Sequence, residues 1–229
     1  MCGRFNQKLS DSQWAHVFDV LRMPTTDYSH FQSRYNTAPM QAALAIRVCD
    51  RMPALTPLQW KLIPSWSKTK TTKFNTINAK AETLETSRTY RTPFKNRRCL
   101  IPVAGFYEWP KANSKHFDQK KPLYISFKND RPLCFAAVWD RWEQSGNIIE
   151  SFSIITVPAN AMVADFHDRM PAILNEPELN IWLDHDIEDL RLLKSLLRPR
   201  DKDDLQNQRV SSQVNNWRHE SPDCIRKMN

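Results

Sequence analysis

The stretch "RCLIPVAGFYEW" at residues 98–109 decides the fold of this chain. Its apolar and aromatic residues favour a β-strand, and Pro102 interrupts that strand in its middle. A polar linker at 111–121 then joins it to a second strand-like segment, "PLYISF" at 122–127. No long helix separates the two segments, so the pattern favours antiparallel pairing over a parallel sheet.

The same pattern continues in both directions along the chain. Strands are predicted at 42–48, 58–63, 132–139 and 148–157, with a turn near Gly146, and a last one at 209–217 that would close the sheet. Helices are predicted at 10–21, 79–87 and 176–197. The sequence therefore predicts an α+β fold: a single domain over 1–229, built around a curved, mostly antiparallel, β-barrel-like sheet with flanking helices.

Composition limits the classes of function. The 229 residues carry 33 Lys and Arg against 25 Asp and Glu, for a net charge of +8. Basic runs at 68–73 and 95–98 suit a phosphate backbone, although solvated surface lysines would account for them equally well. Only three glycines are present, and no dinucleotide-binding or phosphate-binding glycine loop occurs.

Cysteine usage and hydropathy indicate a reducing compartment. The five cysteines are odd in number and form no CxxC pair, so neither a disulfide framework nor a zinc site is expected. No apolar run approaches the length of a membrane span, and the first ten residues lack the apolar core of a secretory signal. The expected location is the cytoplasm with the nucleoid in a bacterium, or the nucleus in a eukaryote.

The chain begins "MCGRF", which places a thiol at position 2. Cysteine is small enough to permit removal of the initiator methionine, and Cys2 would then carry an α-amine and a thiol on adjacent carbons. This 1,2-aminothiol can do chemistry that an internal cysteine cannot. The alternative is a chain start without a role, frayed like most termini.

Three internal segments carry further chemical groups. Glu108 lies in an apolar strand where a desolvated carboxylate could exchange protons, although alternation also permits a solvent-facing position. In "FHDRMP" (166–171), His167 can donate or accept a proton, or cap a helix end. In "INAKAET" (77–83), Asn78 offers a fixed donor and acceptor, or a helix N-cap.

Two further motifs occur in the sequence, "RYNTAP" (34–39) and "WKLIPSW" (60–66). Together with "MCGRF" and the segments above, they follow one another in a fixed order along the chain. In this order it closely resembles the SOS-response-associated peptidase (SRAP) family of abasic-site-processing proteins, from residue 2 to about 217, with 218–229 as a C-terminal tail. The resemblance implies a covalent crosslink to abasic sites in single-stranded DNA through the N-terminal cysteine. It implies these catalytic positions: Cys2, Asn78, Glu108 and His167. It also implies that Arg4 lies close to the DNA backbone. The other expected DNA contacts are Asn36, Trp66, Lys80, Trp109 and Arg169, because cations can bind phosphates and aromatic rings can stack on bases.

The expected chemistry follows from the aminothiol. The amine of Cys2 attacks the sugar aldehyde to give an imine, and the thiol closes a thiazolidine ring that prevents strand cleavage by β-elimination. No cofactor or metal is implied, and the protein is expected to act as a monomer, with lyase-type chemistry and an autoproteolytic peptidase activity. Lys80 departs from the family, which usually has arginine after Asn-Ala; lysine neutralises a phosphate without the bidentate fork.

Two rival classes remain open at this stage. "MCG" also opens class II glutamine amidotransferases, in which an N-terminal cysteine attacks an amide, and a glutaminase assay separates that class. A non-catalytic single-strand-binding module needs the basic groove and the aromatic residues but has no use for Cys2. Such a module would bind DNA and form no covalent product.

Overall fold

The computed structural model describes residues 2–71, 74–110 and 121–228. Most of the predicted linker and the end of the basic run at 68–73 lie outside the described residues. The strands are β1 (Arg4–Asn6), β2 (Ala42–Cys49), β3 (Met52–Trp60), β4 (Asn78–Lys80), β5 (Arg98–Val103), β6 (Gly105–Glu108), β7 (Leu123–Phe127), β8 (Leu133–Gln144), β9 (Asn147–Pro158), β10 (Arg169–Pro171) and β11 (Leu205–Arg209). The α-helices are α1 (Asp11–Val20), α2 (Arg91–Asn96), α3 (Ala161–Ala164), α4 (Glu176–Leu183) and α5 (Leu190–Leu196).

Five strands close into a barrel. Their order around the ring is β9, β3, β2, β5 and β8, and β8 pairs back onto β9. All of these pairings are antiparallel except that between β3 and β9, where Trp60 lies opposite Phe152. The prediction of an α+β fold around a barrel-like, mostly antiparallel sheet is confirmed. Closure pairs the strand edges that would otherwise be open to another chain.

The stretch at 98–109, predicted to be one interrupted strand, forms two strands. β5 belongs to the barrel, whereas β6 belongs to a second sheet with the strand order β1, β6, β7, β11. The chain leaves one sheet for the other at Ala104, and Pro102 lies within β5, opposite Cys134. At Gly105 the phenol of Tyr124 leaves no room for a side chain, because an added Cβ would overlap with the ring. Glycine is therefore required where the chain changes sheets.

Three other predicted elements are corrected. The strand predicted at 58–63 runs from Met52 to Trp60, and its two prolines lie on the part that β9 does not pair. The helix predicted at 79–87 is a short strand, β4, followed by a 3-10 turn at Ala81–Thr83, because β4 pairs in parallel with β9. The last strand lies at Leu205–Arg209, upstream of most of the predicted segment, which forms a 3-10 turn at Ser212–Asn215.

Helix α1 begins where its sequence predicts. The Ser10 hydroxyl accepts from the Gln13 amide, and the Gln13 side chain accepts from the Ser10 amide, which completes a capping box. The helix buries Trp14, Val17 and Phe18 against the main core. No helix in the described residues is long and apolar enough to cross a membrane.

One residue of the basic run at 95–98 is a core residue. Arg98, at the start of β5, is fully buried. Its Nε donates to the Trp182 carbonyl at 2.7 Å, and its Nη1 donates to the Lys95 carbonyl at 2.6 Å. Further bonds reach the carbonyls of Phe94 and Asp184. The guanidinium thus caps the C-terminal ends of α2 and α4, where carbonyls lack helical partners, and it is not available to DNA.

Candidate active site

Cys2 is enclosed by the protein rather than frayed. It precedes β1 and is fully buried against the main core. The Asn78 amide nitrogen donates to the Cys2 carbonyl at 2.8 Å, across 76 positions of sequence. Among the described residues, the Asn78 Oδ1 atom is buried without a hydrogen-bond partner. Asn78 thus fixes the backbone at position 2, and it does not cap a helix.

The carboxylate of Glu108 is buried, and its charge acts on the Cys2 thiol. Strand β6 alternates: Phe106 faces the main core, Tyr107 faces a second, smaller core, and Glu108 shares the side of Phe106. Glu108 is 3% exposed, which excludes the solvent-facing alternative. Burial, and then the negative charge of Glu108, raises the pKa of the Cys2 thiol far above its usual range. The thiol is therefore protonated at neutral pH.

Strand β4 carries a second polar side chain toward the same face. Alternation places Lys80 on the face of Asn78, while the intervening Ala79 is fully buried in the core. Lys80 is exposed. The hydroxyl of Tyr90 donates to the Asn78 carbonyl at 3.2 Å and holds the strand from behind. A buried amide and an exposed cation thus follow one another along the edge of the site.

His167 is placed by the turn that leads into β10. Its Nδ1 accepts from the Arg169 amide at 2.9 Å and lies 3.0 Å from the Asp168 carboxylate. The same nitrogen lies 3.1 Å from the Arg169 carbonyl, to which it donates in the other tautomer. The segment docks onto the turn after Asn78, because the Arg169 guanidinium pairs with both carboxylate oxygens of Glu82. Arg169 thereby connects the His167 and Asn78 segments.

The sequence profile of the SOS response associated peptidase (SRAP) family matches residues 1–217. The chain belongs to this family. "Abasic site processing protein YoqW" of Bacillus subtilis is 36% identical over 227 residues, which is 98% of this chain and 99% of that protein. "Abasic site processing protein HMCES" of Pongo abelii is 31% identical over 202 residues, 75% of this chain and 56% of that protein.

Solved structures share the SRAP fold. A crystal structure of a Bacteroides thetaiotaomicron protein superposes with a TM-score of 0.83 at 22% identity and covers the whole of both chains. A Bordetella bronchiseptica protein superposes with a TM-score of 0.75 at 22% identity, over 92% of this chain and all of that one. These likenesses concern the fold alone.

Two residues of this SRAP chain that are predicted to contact DNA form hydrogen bonds inside the protein. Asn36 is fully buried, and its amide nitrogen lies within 3.1 Å of the carbonyls of Val214, Asn216 and His219. Arg169 is only 14% exposed, and both of its terminal nitrogens bond to Glu82. In this conformation Asn36 holds residues 214–219, and Arg169 holds the turn that carries Glu82. A direct contact from either to DNA would require it to give up those partners.

Arg4 is also largely internal. Its Nη1 donates to the Asn36 side chain at 2.7 Å and to the Val214 carbonyl at 2.8 Å, and its guanidinium lies 5.6 Å from the centroid of the Trp109 ring. The Trp109 indole donates to the Asn215 side chain at 2.6 Å. Trp66 is different, since it is 43% exposed and stacks with Arg88 at 4.3 Å.

Sequence reasoning misses the support that residues 211–219 give to this site. The sequence predicts that most of this segment belongs to a strand, yet its carbonyls accept from Arg4 and Asn36. Trp217, at its exposed end, stacks with the guanidinium of Arg218 at 4.4 Å. Carbonyl acceptors are present at every residue, so no sequence signal marks this role.

Proposed function

We propose that this SRAP protein processes abasic sites in single-stranded DNA by forming a covalent thiazolidine crosslink through Cys2, after removal of Met1. The observation that carries the proposal is the 2.8 Å bond from Asn78 to the carbonyl of the buried Cys2. The buried Glu108 carboxylate supports it, since its charge acts on the thiol. A chain start without a role needs no buried amide to hold it. The substrate class comes from relatives whose names describe abasic site processing.

The reaction divides between the two groups of Cys2. The abasic sugar opens from its cyclic hemiacetal, with His167 exchanging a proton at the ring oxygen. The free α-amine, with an ordinary pKa of about 8, attacks C1′, and loss of one water gives an imine. The thiol sulfur then bonds to the same carbon, and the thiol proton moves to the nitrogen. The ring closes with no change in oxidation state.

Glu108 is proposed to move the protons in these steps. A thiol adds as its thiolate, so the Cys2 thiol needs a base before it can close the ring. The Glu108 carboxylate is suited to accept the thiol proton and to return it to the nitrogen. During imine formation the same carboxylate can first take a proton from the attacking amine and then, as the carboxylic acid, give that proton to the departing hydroxyl.

Single-stranded DNA is proposed to cross the exposed edge of the site. Trp66 is 43% exposed, and a base can stack on its ring where Arg88 does not cover it. Lys80 offers a cation on the face of Asn78. The half-buried ring of Trp109 lies next in sequence to Glu108 and supplies a second apolar surface. Duplex DNA would offer no unstacked base to these rings.

Intact mass of the protein, after incubation with an abasic single-stranded oligonucleotide, tests the function. The expected product has the mass of the chain without Met1 plus that of the oligonucleotide, less one water. The same oligonucleotide annealed to its complement is expected to react more slowly. Binding without any covalent product would favour a single-strand-binding module, and glutamine hydrolysis would favour the amidotransferase class.

Glu108→Gln is expected to slow crosslinking by about 100-fold, because it keeps the shape of the side chain and removes the proton carrier. His167→Ala is expected to slow the reaction of closed abasic sugar more than that of an oligonucleotide with a pre-opened aldehyde. Rates come from quenched time courses on denaturing gels. Wild-type rates in both variants would mean that these residues are structural.

A further inference from the structure

The folded C-terminal tail holds three chemically different metal ligands together. The Nε2 of His219, a carboxylate oxygen of Asp223 and the Sγ of Cys224 all lie within 4.8 Å of one another. From these distances we propose that the tail binds one divalent zinc ion through these three side chains. The cluster lies beyond residue 217, where the family match ends. The proposal does not depend on the proposed DNA chemistry.

The backbone positions the ligands before any metal binds. The His219 carbonyl accepts from the Asn36 amide at 3.0 Å, and a 3-10 turn at Pro222–Ile225 carries Asp223 and Cys224. The tail is anchored on both sides, since Met228 donates its amide to the Arg209 carbonyl at 2.9 Å. A site held in this way loses less conformational entropy when the metal binds.

The present distances need only small side-chain rotations. Tetrahedral zinc with nitrogen, oxygen and sulfur ligands separates the donor atoms by about 3.3–3.7 Å. His219 and Asp223 are now joined by a hydrogen bond of 2.8 Å, so that pair must open slightly, and the sulfur must approach. The buried Cys224 would form the floor, and the partly exposed His219 and Asp223 leave the fourth position open to water.

The charges at the site balance. Cys224 loses its thiol proton on binding, the Asp223 carboxylate is already charged, and the His219 ring binds through Nε2 with a proton on Nδ1. One proton is released, and two negative ligands neutralise the ion. The nearby Glu220 carboxylate adds negative charge that attracts the zinc ion, whereas the positive charges of Arg4 and Arg226 repel it. The sequence has no CxxC pair, which is the usual spacing of zinc-binding cysteines. Here His219, Asp223 and Cys224 are brought together by the 3-10 turn instead.

Metal retention by the full-length protein tests the proposal. Chelator-treated protein is loaded with zinc chloride, dialysed and analysed by elemental mass spectrometry; about one zinc per chain is expected. Retention should be lost in Cys224→Ser and His219→Ala. The thiol controls Cys2→Ser and Cys49→Ser should keep the metal. Cobalt chloride should give a thiolate-to-cobalt absorption band in the wild type and in both controls, and none in Cys224→Ser.

Each alternative outcome is decisive. A wild-type protein that retains no zinc overturns the proposal. So does zinc that survives Cys224→Ser or disappears with Cys2→Ser, because the ion would then lie elsewhere. Urea unfolding of the metal-free proteins separates ligand loss from misfolding: zinc should raise the midpoint of the wild type and leave that of Cys224→Ser unchanged. Asp223→Asn keeps the shape of the turn and should weaken binding without unfolding the tail.

Discussion

Replacing Cys2 with serine is expected to abolish the durable crosslink to abasic single-stranded DNA. The serine variant keeps the α-amine and can form an imine, but its hydroxyl does not replace the thiol in the ring. The variant should therefore leave a heat-labile adduct, or strand breaks by β-elimination. Cys2→Ala should behave similarly, since it also keeps the amine. Denaturing electrophoresis with and without borohydride distinguishes the products, because borohydride reduces an imine to a stable amine.

Retention of a residue before Cys2 should be more damaging than either substitution. An amide nitrogen is not a usable nucleophile, so protein with an uncleaved N-terminal tag should give no adduct, even with borohydride. The matched control carries the same tag at the C-terminus and should crosslink normally. A blocked protein that crosslinks as well as the free one would rule out the aminothiol, and the nucleophile would then be a lysine or another cysteine.

Arg98→Met is expected to be strongly destabilising, although Arg98 lies outside the candidate active site. It removes the guanidinium that bonds four carbonyls at the ends of α2 and α4, while keeping a long apolar side chain. A buried acceptor left without a partner costs about 1–3 kcal/mol. Some of the four carbonyl oxygens will instead form hydrogen bonds to water. We expect a loss of about 3–6 kcal/mol in the free energy of unfolding, measured by urea denaturation.

The control for this substitution is Arg91→Met on the exposed surface of α2. It removes the same charge from a solvent-facing position and should change the free energy of unfolding by less than about 0.5 kcal/mol. Arg98→Lys is informative as well, since an ammonium cannot span four carbonyls and should restore only part of the loss. Equal stability of the two methionine variants would show that the buried hydrogen bonds contribute nothing net.

Much of the fold could be predicted because its signals are local. The Ser10 cap, the apolar spacing of α1 and the apolar runs of β2, β8 and β9 act within a few residues, and each element forms where its pattern predicts. The ordered motifs also indicate the family and the importance of position 2. These conclusions rest on residue identities, which folding does not change.

The tertiary structure alone decided which charged and polar side chains are free to bind DNA and which are bonded inside the protein. The sequence presents Arg98, Arg169 and Asn36 as polar residues in motifs or basic runs, yet each bonds to a partner that is 84 to 183 positions away. β4 and β10 both pair with β9, which brings Glu82 near Arg169, and α4 packs on β5, which brings Trp182 near Arg98. The same folding brings the Asn78 amide to the Cys2 carbonyl and buries Glu108 where its charge acts on the Cys2 thiol. Burial and pairing depend on elements distant in sequence, so no local pattern records them.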